Sequence, residues 1–300
     1  MLVAAIDNGY YNTVAMTTAK NTSFRSKVQE TSRPQFNKDS YYLQYNGKSY
    51  LVGDEAEKID IDLDKTNSQL HFITTLAALG SLSSATVIPA KIVSNIPINL
   101  YNKDNKKKIE DFFKSKSGVQ FILNDKKKSV SILDCVVFPQ AIPAIYANQI
   151  EPTTGVLDIG GLTAQGAITK DKKIIQSTIF TDNLGMLVLL EKIKNELNSK
   201  YNTNLKDYEM ETVFSAGLLE DKENSLKIIE EICMDHIERI ITALKLKDWN
   251  VNNTNILLTG GGGMLLAPYL KKKIKHIRLS NNPLLDNTLG LLEVSRHVFA

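Results

Sequence analysis

The chain has 300 residues, 43% hydrophobic and 23% charged, which excludes disorder as its main character and leaves ample apolar material for a core. Lys and Arg total 36 against 33 Asp and Glu, a formal charge of +3. That is too near neutrality for the summed field to select nucleic acid or an acidic membrane as a direct partner.

Residues 1–6 run apolar into Asp7, with no basic leader and too few apolar residues for a signal peptide or a membrane span, so they predict a first β-strand. Residues 40–52 predict a hairpin around Asn46-Gly47, and Gly53-Asp54-Glu55-Ala56 predicts a helix start. Residues 86–95 are β-rich and end before Pro97; 103–116 alternate basic and apolar residues at helical spacing; 119–123 and 130–138 predict two strands. Lys106-Lys107-Lys108 and Lys126-Lys127-Lys128 are expected on solvated helix and turn faces, without a catalytic role.

The second half predicts strand, turn and strand through Thr169, and a third strand at 174–180. Leu187, Leu190, Ile193 and Leu197 mark an amphipathic helix from Gly185, and a long helix is expected over 225–246. After a polar loop at 250–254 come a buried strand at 255–259, a glycine turn at Gly260-Gly261-Gly262-Gly263 and a helix at 264–273. Strands and helices alternate in each half, which reads as α/β with sheets covered on both faces.

Two segments repeat one pattern: residues 3–16, VAAIDNGYYNTVAM, and 155–168, GVLDIGGLTAQGAI. Each reads apolar strand, Asp-x-Gly, a short polar turn with Thr, then small and apolar residues again. Either alone is a β-hairpin with a glycine turn; together they suggest a duplicated half-fold.

Several common sites are ruled out by their spacing. The chain has no G-x-x-x-x-G-K-[ST] loop, no G-x-G-x-x-G opening the first helix and no G-x-S-x-G elbow. Its two cysteines, Cys135 and Cys233, can build neither a disulfide framework nor a four-ligand zinc site, which fits the cytosol. Cys233 and His236 share a helix face but lack two further ligands, and read as packing residues. His71, His276 and His297 have no partner in sequence. What remains is three glycine-containing turns after buried strands, where backbone N–H groups can converge on phosphate oxygens. These are Asp7-Asn8-Gly9-Tyr10-Tyr11-Asn12-Thr13, Asp158-Ile159-Gly160-Gly161-Leu162-Thr163 and Thr259-Gly260-Gly261-Gly262-Gly263-Met264. Two aspartates beside phosphate call for a cation, and Mg²⁺, which takes few carboxylates, is the natural one.

In these motifs the chain resembles the actin/Hsp70/hexokinase superfamily, and within it the ParM-like bacterial actins. Residues 45–56, Asn95-Ile96-Pro97-Ile98, Phe138-Pro139-Gln140-Ala141-Ile142-Pro143-Ala144 and Asn287-Thr288-Leu289-Gly290-Leu291 are similar to segments of that branch. The resemblance implies a two-lobed actin-like (ribonuclease H-like) fold of duplicated half-domains with a nucleotide cleft between them. Domain I would span 1–154, with 286–300 returning to it and a small insertion about 32–80. Domain II would span 155–285, with a shortened insertion about 195–250.

On this likeness Asn8, Gly9, Tyr10, Tyr11, Asn12 and Thr13 form the first phosphate motif and Gly160, Gly161, Leu162 and Thr163 the second. Gly185, Gly260, Gly261, Gly262, Gly263 and Met264 complete the nucleotide-contacting set. Gln140 would orient the attacking water, Asp158 would help place water and metal, and Asp7 would hold Mg²⁺. Many relatives carry a Lys where this chain has Val14, a loss of a charge-assisted contact worth about 1.5–3 kcal/mol; Lys20 is a candidate substitute. The implied function is a cytoplasmic ATPase, or GTPase, that polymerises head to tail and moves plasmid DNA through a plasmid-encoded DNA-binding adaptor, touching DNA only indirectly and no membrane. The alternatives are a small-molecule kinase of the same superfamily and a low-turnover nucleotide-binding scaffold.

Overall fold

The computed structural model describes residues 1–32, 40–56 and 69–300. They fall into two compact units, Met1–Gln149 with Leu285–Ala300, and Ile150–Leu284.

The first unit holds β1 (Leu2–Asn8), β2 (Asn12–Met16), β3 (Asn21–Arg25), β4 (Val28–Glu30), β5 (Ser40–Tyr45), β6 (Lys48–Gly53), α1 (Gln69–Leu82), β7 (Val87–Ile96), α2 (Lys103–Lys114), β8 (Val119–Leu123), β9 (Lys126–Pro139) and α3 (Ala144–Ala147). The nine strands form one sheet in the order β3-β2-β1-β7-β9-β8-β5-β6-β4. This sheet curls around α1, which packs against strands from β1 round to β9. Leu76, Ala77, Ala78 and Leu79 are consequently all fully buried. A helix enclosed on every side needs no polar face, so α1 lacks the one-sided stripe that betrays most helices in sequence.

Asn46 and Gly47 both have positive φ, 52° and 73°, as a two-residue turn joining β5 to β6 requires. Asn102 caps α2, its side chain accepting from the N–H groups of Asp104 and Asn105. Residues 54–56 form a turn after β6. A helix continuing from there, and much of the insertion expected at 32–80, lie outside the described residues. Lys126-Lys127-Lys128 open β9 instead of occupying a turn. Lys128 is buried, and its Nζ donates to the carbonyls of Ser83 (2.8 Å) and Ala85 (3.1 Å). From Lys128 onward β9 alternates, with Lys128, Val130 and Ile132 facing inward, and so the third lysine leaves solvent while Lys126 at the strand end stays exposed.

The last helix of the chain, α8 (Asp286–Val298), also belongs to this unit. Leu291, Leu292 and Val294 pack with Ala5, Met16 and Val93 on the sheet. Asn287 Oδ1 accepts from the Ala141 N–H (3.1 Å), and Asn148 Nδ2 donates to Asp286 Oδ1 (3.0 Å). Gly290 lies directly on the backbone of Pro143, at a point where a Cβ would overlap the carbonyl oxygen.

The second unit holds β10 (Thr153–Ile159), β11 (Ala164–Lys170), β12 (Lys173–Ile174), β13 (Phe180–Asp182), α4 (Met186–Tyr201), α5 (Met210–Ala216), α6 (Lys222–Lys245), β14 (Ile256–Thr259), α7 (Gly261–Lys273) and β15 (Ile277–Leu279). Its sheet runs β12-β11-β10-β14-β15, with β13 added to β11. The third strand expected at 174–180 is broken by a short 3₁₀ turn at Gln176–Thr178. Trp249 explains the break, for its indole N–H donates to the Thr178 carbonyl (2.7 Å) and its ring fills the space that Gly155 leaves open. The expected four-glycine turn is shorter than its sequence suggests. Only Gly260 lies outside the helix, as its N-cap, and Gly261, Gly262 and Gly263 make the first turn of α7.

The strand order of the second unit repeats that of β3-β2-β1-β7-β9 in the first. In both, a hairpin is followed by a parallel neighbour of its first strand, β7 beside β1 and β14 beside β10. The registers agree residue for residue: Asp7 pairs with Val14 and Asn8 with Thr13, as Asp158 pairs with Gln165 and Ile159 with Ala164. The repeated motif is thus a repeated piece of topology.

Candidate nucleotide site

In the first unit Asp7 stands one residue from the end of β1, and its Oδ1 accepts a hydrogen bond from Asn95 Nδ2 (2.9 Å) at the end of β7. Asn95 Oδ1 in turn accepts from Gln140 Nε2 (3.3 Å), just past the end of β9. Asp7 and Gln140 are therefore joined through a residue that the motif reading had not placed in the site. Gln140 and Asn95 are buried. The Gln140 N–H donates to the Ile96 carbonyl (2.8 Å), and Ala141 follows in the left-handed region at φ 71°, where the α8 contact from Asn287 holds it.

The turn after β1 is shaped by Gly9, whose Cβ, if present, would sit 2.8 Å from the Asn12 carbonyl oxygen. Asn8 and Thr13 face inward. The Asn8 amide donates to Thr75 Oγ1 (3.1 Å) and accepts from Thr74 Oγ1 (3.2 Å) on α1, and Thr13 Oγ1 is bonded to Ser26 Oγ (2.9 Å). These side chains lock the turn onto the unit. Tyr10 is buried, and the Tyr11 ring lies under the Arg25 guanidinium at 3.5 Å, whose Nε also meets Asp54 Oδ1 at 3.2 Å. Val14 is buried opposite Asp7. Lys20 lies in the turn at the other end of β2, where its N–H donates to Thr17 Oγ1, and is remote from Gly9. Arg25 is different, because it pairs with Asn12 beside the turn.

In the second unit three sequence-distant segments meet. Gly160 N–H donates to the Thr163 carbonyl (2.9 Å) and closes the turn. The carbonyls of Gly160, Gly161 and Leu162 accept from the N–H groups of Met186 (2.9 Å), Leu187 (2.8 Å) and Gly185 (3.0 Å) at the start of α4. With its carbonyls turned that way, the loop leaves the N–H groups of Gly161 and Leu162 without a partner among the described residues. Gly185 is itself buried, and a Cβ there would strike the backbone of Gly161 and Leu162, so its part is to let α4 close on the turn. Asp158 is buried at the end of β10 beside Thr259 of β14. At φ 85° Gly260 is in a region that favours glycine, and a Cβ would collide with Asp158 Oδ1 and the Ile159 carbonyl. A Cβ on Gly262 would lie 2.7 Å from Ile159 Cγ2. Met264 and Leu265 on α7 and Leu284 beside Gly261 are exposed, an apolar rim next to the glycine start of the helix.

Cys233 and His236 are buried in the core of the second unit, as packing residues should be. Burial pushes the Cys233 thiol up to about 12. Burial likewise holds the His236 imidazole below its usual value, and its Nε2 meets the Leu184 carbonyl at 3.0 Å. The folded state therefore prefers a neutral ring. At neutral pH this costs nothing, but below about pH 6.5 the unfolded chain takes up a proton that the folded chain resists, so stability falls as pH drops through that range. Urea midpoints measured at pH 7.5 and 5.5 should show a drop in the wild type that is smaller in His236→Gln; an equal drop in both would remove His236 as the cause.

Among the described residues no group of three or more His, Cys, Asp or Glu side chains gathers as a metal cage, and no helix is long and apolar enough to cross a membrane. Residues 5–142 match the family described as actin-like proteins, N-terminal domain. No curated protein matches the chain. Among solved structures, the archaeal actin homologue Ta0583 superposes with a TM-score of 0.85 at 16% identity, covering 99% of this chain and 100% of that one. Its complex with ADP gives 0.81 at 17% identity over 99% and 100%. A 15-stranded ParM filament from Clostridium botulinum gives 0.79 at 22% identity over 99% of each chain. Such likenesses show the fold, and they bear out the resemblance read from the motifs. The chain has the two-sheet α/β fold of the actin-like proteins, matches the model of their N-terminal domain over residues 5–142, and resembles the ParM-like bacterial actins.

Proposed function

We propose that this chain is a cytoplasmic, filament-forming actin-like nucleotidase. It binds ATP, or GTP, with Mg²⁺, assembles head to tail with its own copies while nucleotide is bound, and moves plasmid DNA through a DNA-binding adaptor. The observation that carries the reading is the meeting of Asp158, the Gly160–Thr163 turn and the glycine start of α7 in the second unit. N–H donors in a loop stripped of side chains, next to a carboxylate, are what phosphate oxygens and their cation need. Asn8 and Thr13, with side chains committed to Thr74, Thr75 and Ser26, serve through their backbone. A base would lie against the apolar rim of Met264, Leu265 and Leu284. When bound, Mg²⁺ supplies charge neutralisation for the phosphate oxygens, and in the second unit Asp158 is the residue that would hold it.

Hydrolysis needs chiefly positioning and fixed charge, and Gln140, buried and hydrogen-bonded, suits the placing of a water. At the first turn the positive charge comes from Arg25, since Val14 has none and Lys20 is remote. The ADP complex of the archaeal homologue and the filament of the ParM relative support nucleotide binding and self-association. Open polymers require a non-closing, heterologous contact. The near-neutral charge supports an indirect link to DNA.

A kinase is disfavoured because an amide at 140 is a poor general base. The low-turnover scaffold is favoured by one observation, the buried Val14 opposite Asp7. Sedimentation with ATP, with ADP and without nucleotide, with phosphate release followed in parallel, separates the readings. ATP-dependent pellets with phosphate release are expected; binding with neither would leave the scaffold, and turnover only with an added acceptor would leave the kinase.

A further inference from the structure

The charges of the second unit are sorted along the chain. Residues 206–223 hold six acids and two lysines, whereas 271–278 hold Lys271, Lys272, Lys273, Lys275 and Arg278 and no acid. Ion pairs answer part of each run, Asp207 with Lys194 and Glu223 with Lys227, Lys272 with Glu230 and Lys273 with Glu238, and both keep their sign. In the acidic run Leu218 turns into the core, while Leu219 is fully exposed and followed by exposed Glu220. The corner that presents them is built, not loose. The Leu218 N–H donates to Ser225 Oγ (2.9 Å), the Gly217 N–H donates to the Val213 carbonyl (2.8 Å), and Asp221 caps α6. A lone exposed leucine is ordinary. What gives this one meaning is a counterpart elsewhere on the same unit.

That counterpart is a pocket of about 270 Å³ at the starts of β10, β14 and β15. Ile256, Leu257 and Ile277 are its buried apolar lining, Lys275 and Arg278 its cations and Glu151 its one acid. The glycine turns of the proposed nucleotide site follow the other ends of β10 and β14, so an occupant here leaves that site open. Leu219 cannot reach the pocket within one copy. It precedes α6, a helix of 24 residues and so about 36 Å long, whereas Trp249, just past the far end of α6, rests on Gly155 beside the pocket. We infer that the pocket receives the Leu219-Glu220 corner of a second copy of this chain, leucine against the apolar lining and carboxylate against Lys275. The inference rests on the filament reading above and deepens it by naming the two surfaces that meet. Because they differ and lie apart on one unit, each added copy offers a fresh pocket or corner, and the contact need not close. Opposite charge at the two ends sets their polarity, since corner on corner or pocket on pocket would set like charges together.

The test is the critical concentration for sedimentation with ATP, measured for the wild type, Leu219→Ser, Glu220→Lys and Lys275→Glu. All three positions are exposed, and circular dichroism should show the wild-type fold in each. Leu219→Ser should raise the critical concentration at least tenfold and each charge reversal at least fivefold. A one-to-one mixture of Glu220→Lys and Lys275→Glu should assemble better than either alone. In the mixture an unaltered corner can meet an unaltered pocket, and the altered pair carries the opposite charges in exchanged places. Wild-type values in all three variants would overturn the inference and leave the pocket to some other occupant, and a mixture no better than its components would show that the two surfaces do not meet. A wild type that stays soluble with ATP would overturn the filament reading and the inference together, whereas failure of the variants alone to respond leaves that reading standing.

Discussion

Gly290→Ala is expected to lower the melting temperature by roughly 10 °C. A methyl at this position of α8 would overlap the Pro143 carbonyl oxygen, and both are backbone positions that no rotamer change can clear. Relief requires α8 to lift from α3, loosening Leu291, Leu292 and Val294 from the sheet and straining the bond from Ala141 to Asn287. Overpacking of this kind costs about 3 kcal/mol, and in a unit of this size each kcal/mol moves the transition by about 2–4 °C. Gly118→Ala gives the cost of backbone strain without a clash, since its φ of 64° is unfavourable for alanine but no atom lies within 4 Å of the added methyl, whereas Gly290 is helical and meets only the clash. Its cost should be about 1 kcal/mol. A shift for Gly290→Ala no larger than that of Gly118→Ala would mean that α8 and α3 relieve the contact cheaply.

Asp158→Ala should cut phosphate release at least tenfold, a loss of more than about 1.4 kcal/mol of transition-state stabilisation, with the fold retained. The carboxylate lies against Gly260 at the α7 start, near the β10–β11 turn whose Gly161 and Leu162 N–H groups have no partner among the described residues, so its removal takes charge away from beside the proposed phosphate donors. The control is circular dichroism together with the melting temperature, which should stay within a few degrees of wild type because β10, β14 and α7 keep their backbone pairing. Turnover equal to wild type would remove Asp158 from the site.

How far the sequence alone reached depended on whether a feature was local. The two Asp-x-Gly hairpins were legible because strand alternation, a glycine at the bend and a repeated spacing all sit within fourteen residues, and their registers match. The helix α1 was not, because a helix wrapped by a sheet is apolar on every side and loses its periodic signature. The break at Gln176–Thr178 was hidden for another reason. It is set by Trp249, some seventy residues away, and a β-rich run carries no trace of so distant a partner.

The glycine run shows a further limit. Four consecutive glycines read as a flexible turn, yet three of them are helical, and Leu284, Ile159 and Leu258 stand where side chains on Gly261, Gly262 and Gly263 would go. In the first unit, Asp7 and Gln140 could be picked out by motif, but the residue that joins them could not. A signal did exist: Asn95 is an amide near the end of the buried run of β7, just as Asp7 is a carboxylate near the end of β1. A polar side chain is seldom buried at a strand end without a partner to satisfy it.

The matched ladders around Asp7 and Asp158 bear on how such a molecule can specialise. In an assembly of identical subunits every substitution is imposed on all copies at once, whereas a chain that carries the same bend twice lets each descendant drift alone. That divergence has already happened. One aspartate leans on an amide and looks across at valine, while the other lies against a glycine and looks across at Gln165. Two bends of one design thereby stand in unequal surroundings, a difference that a symmetric pair of identical subunits could not hold.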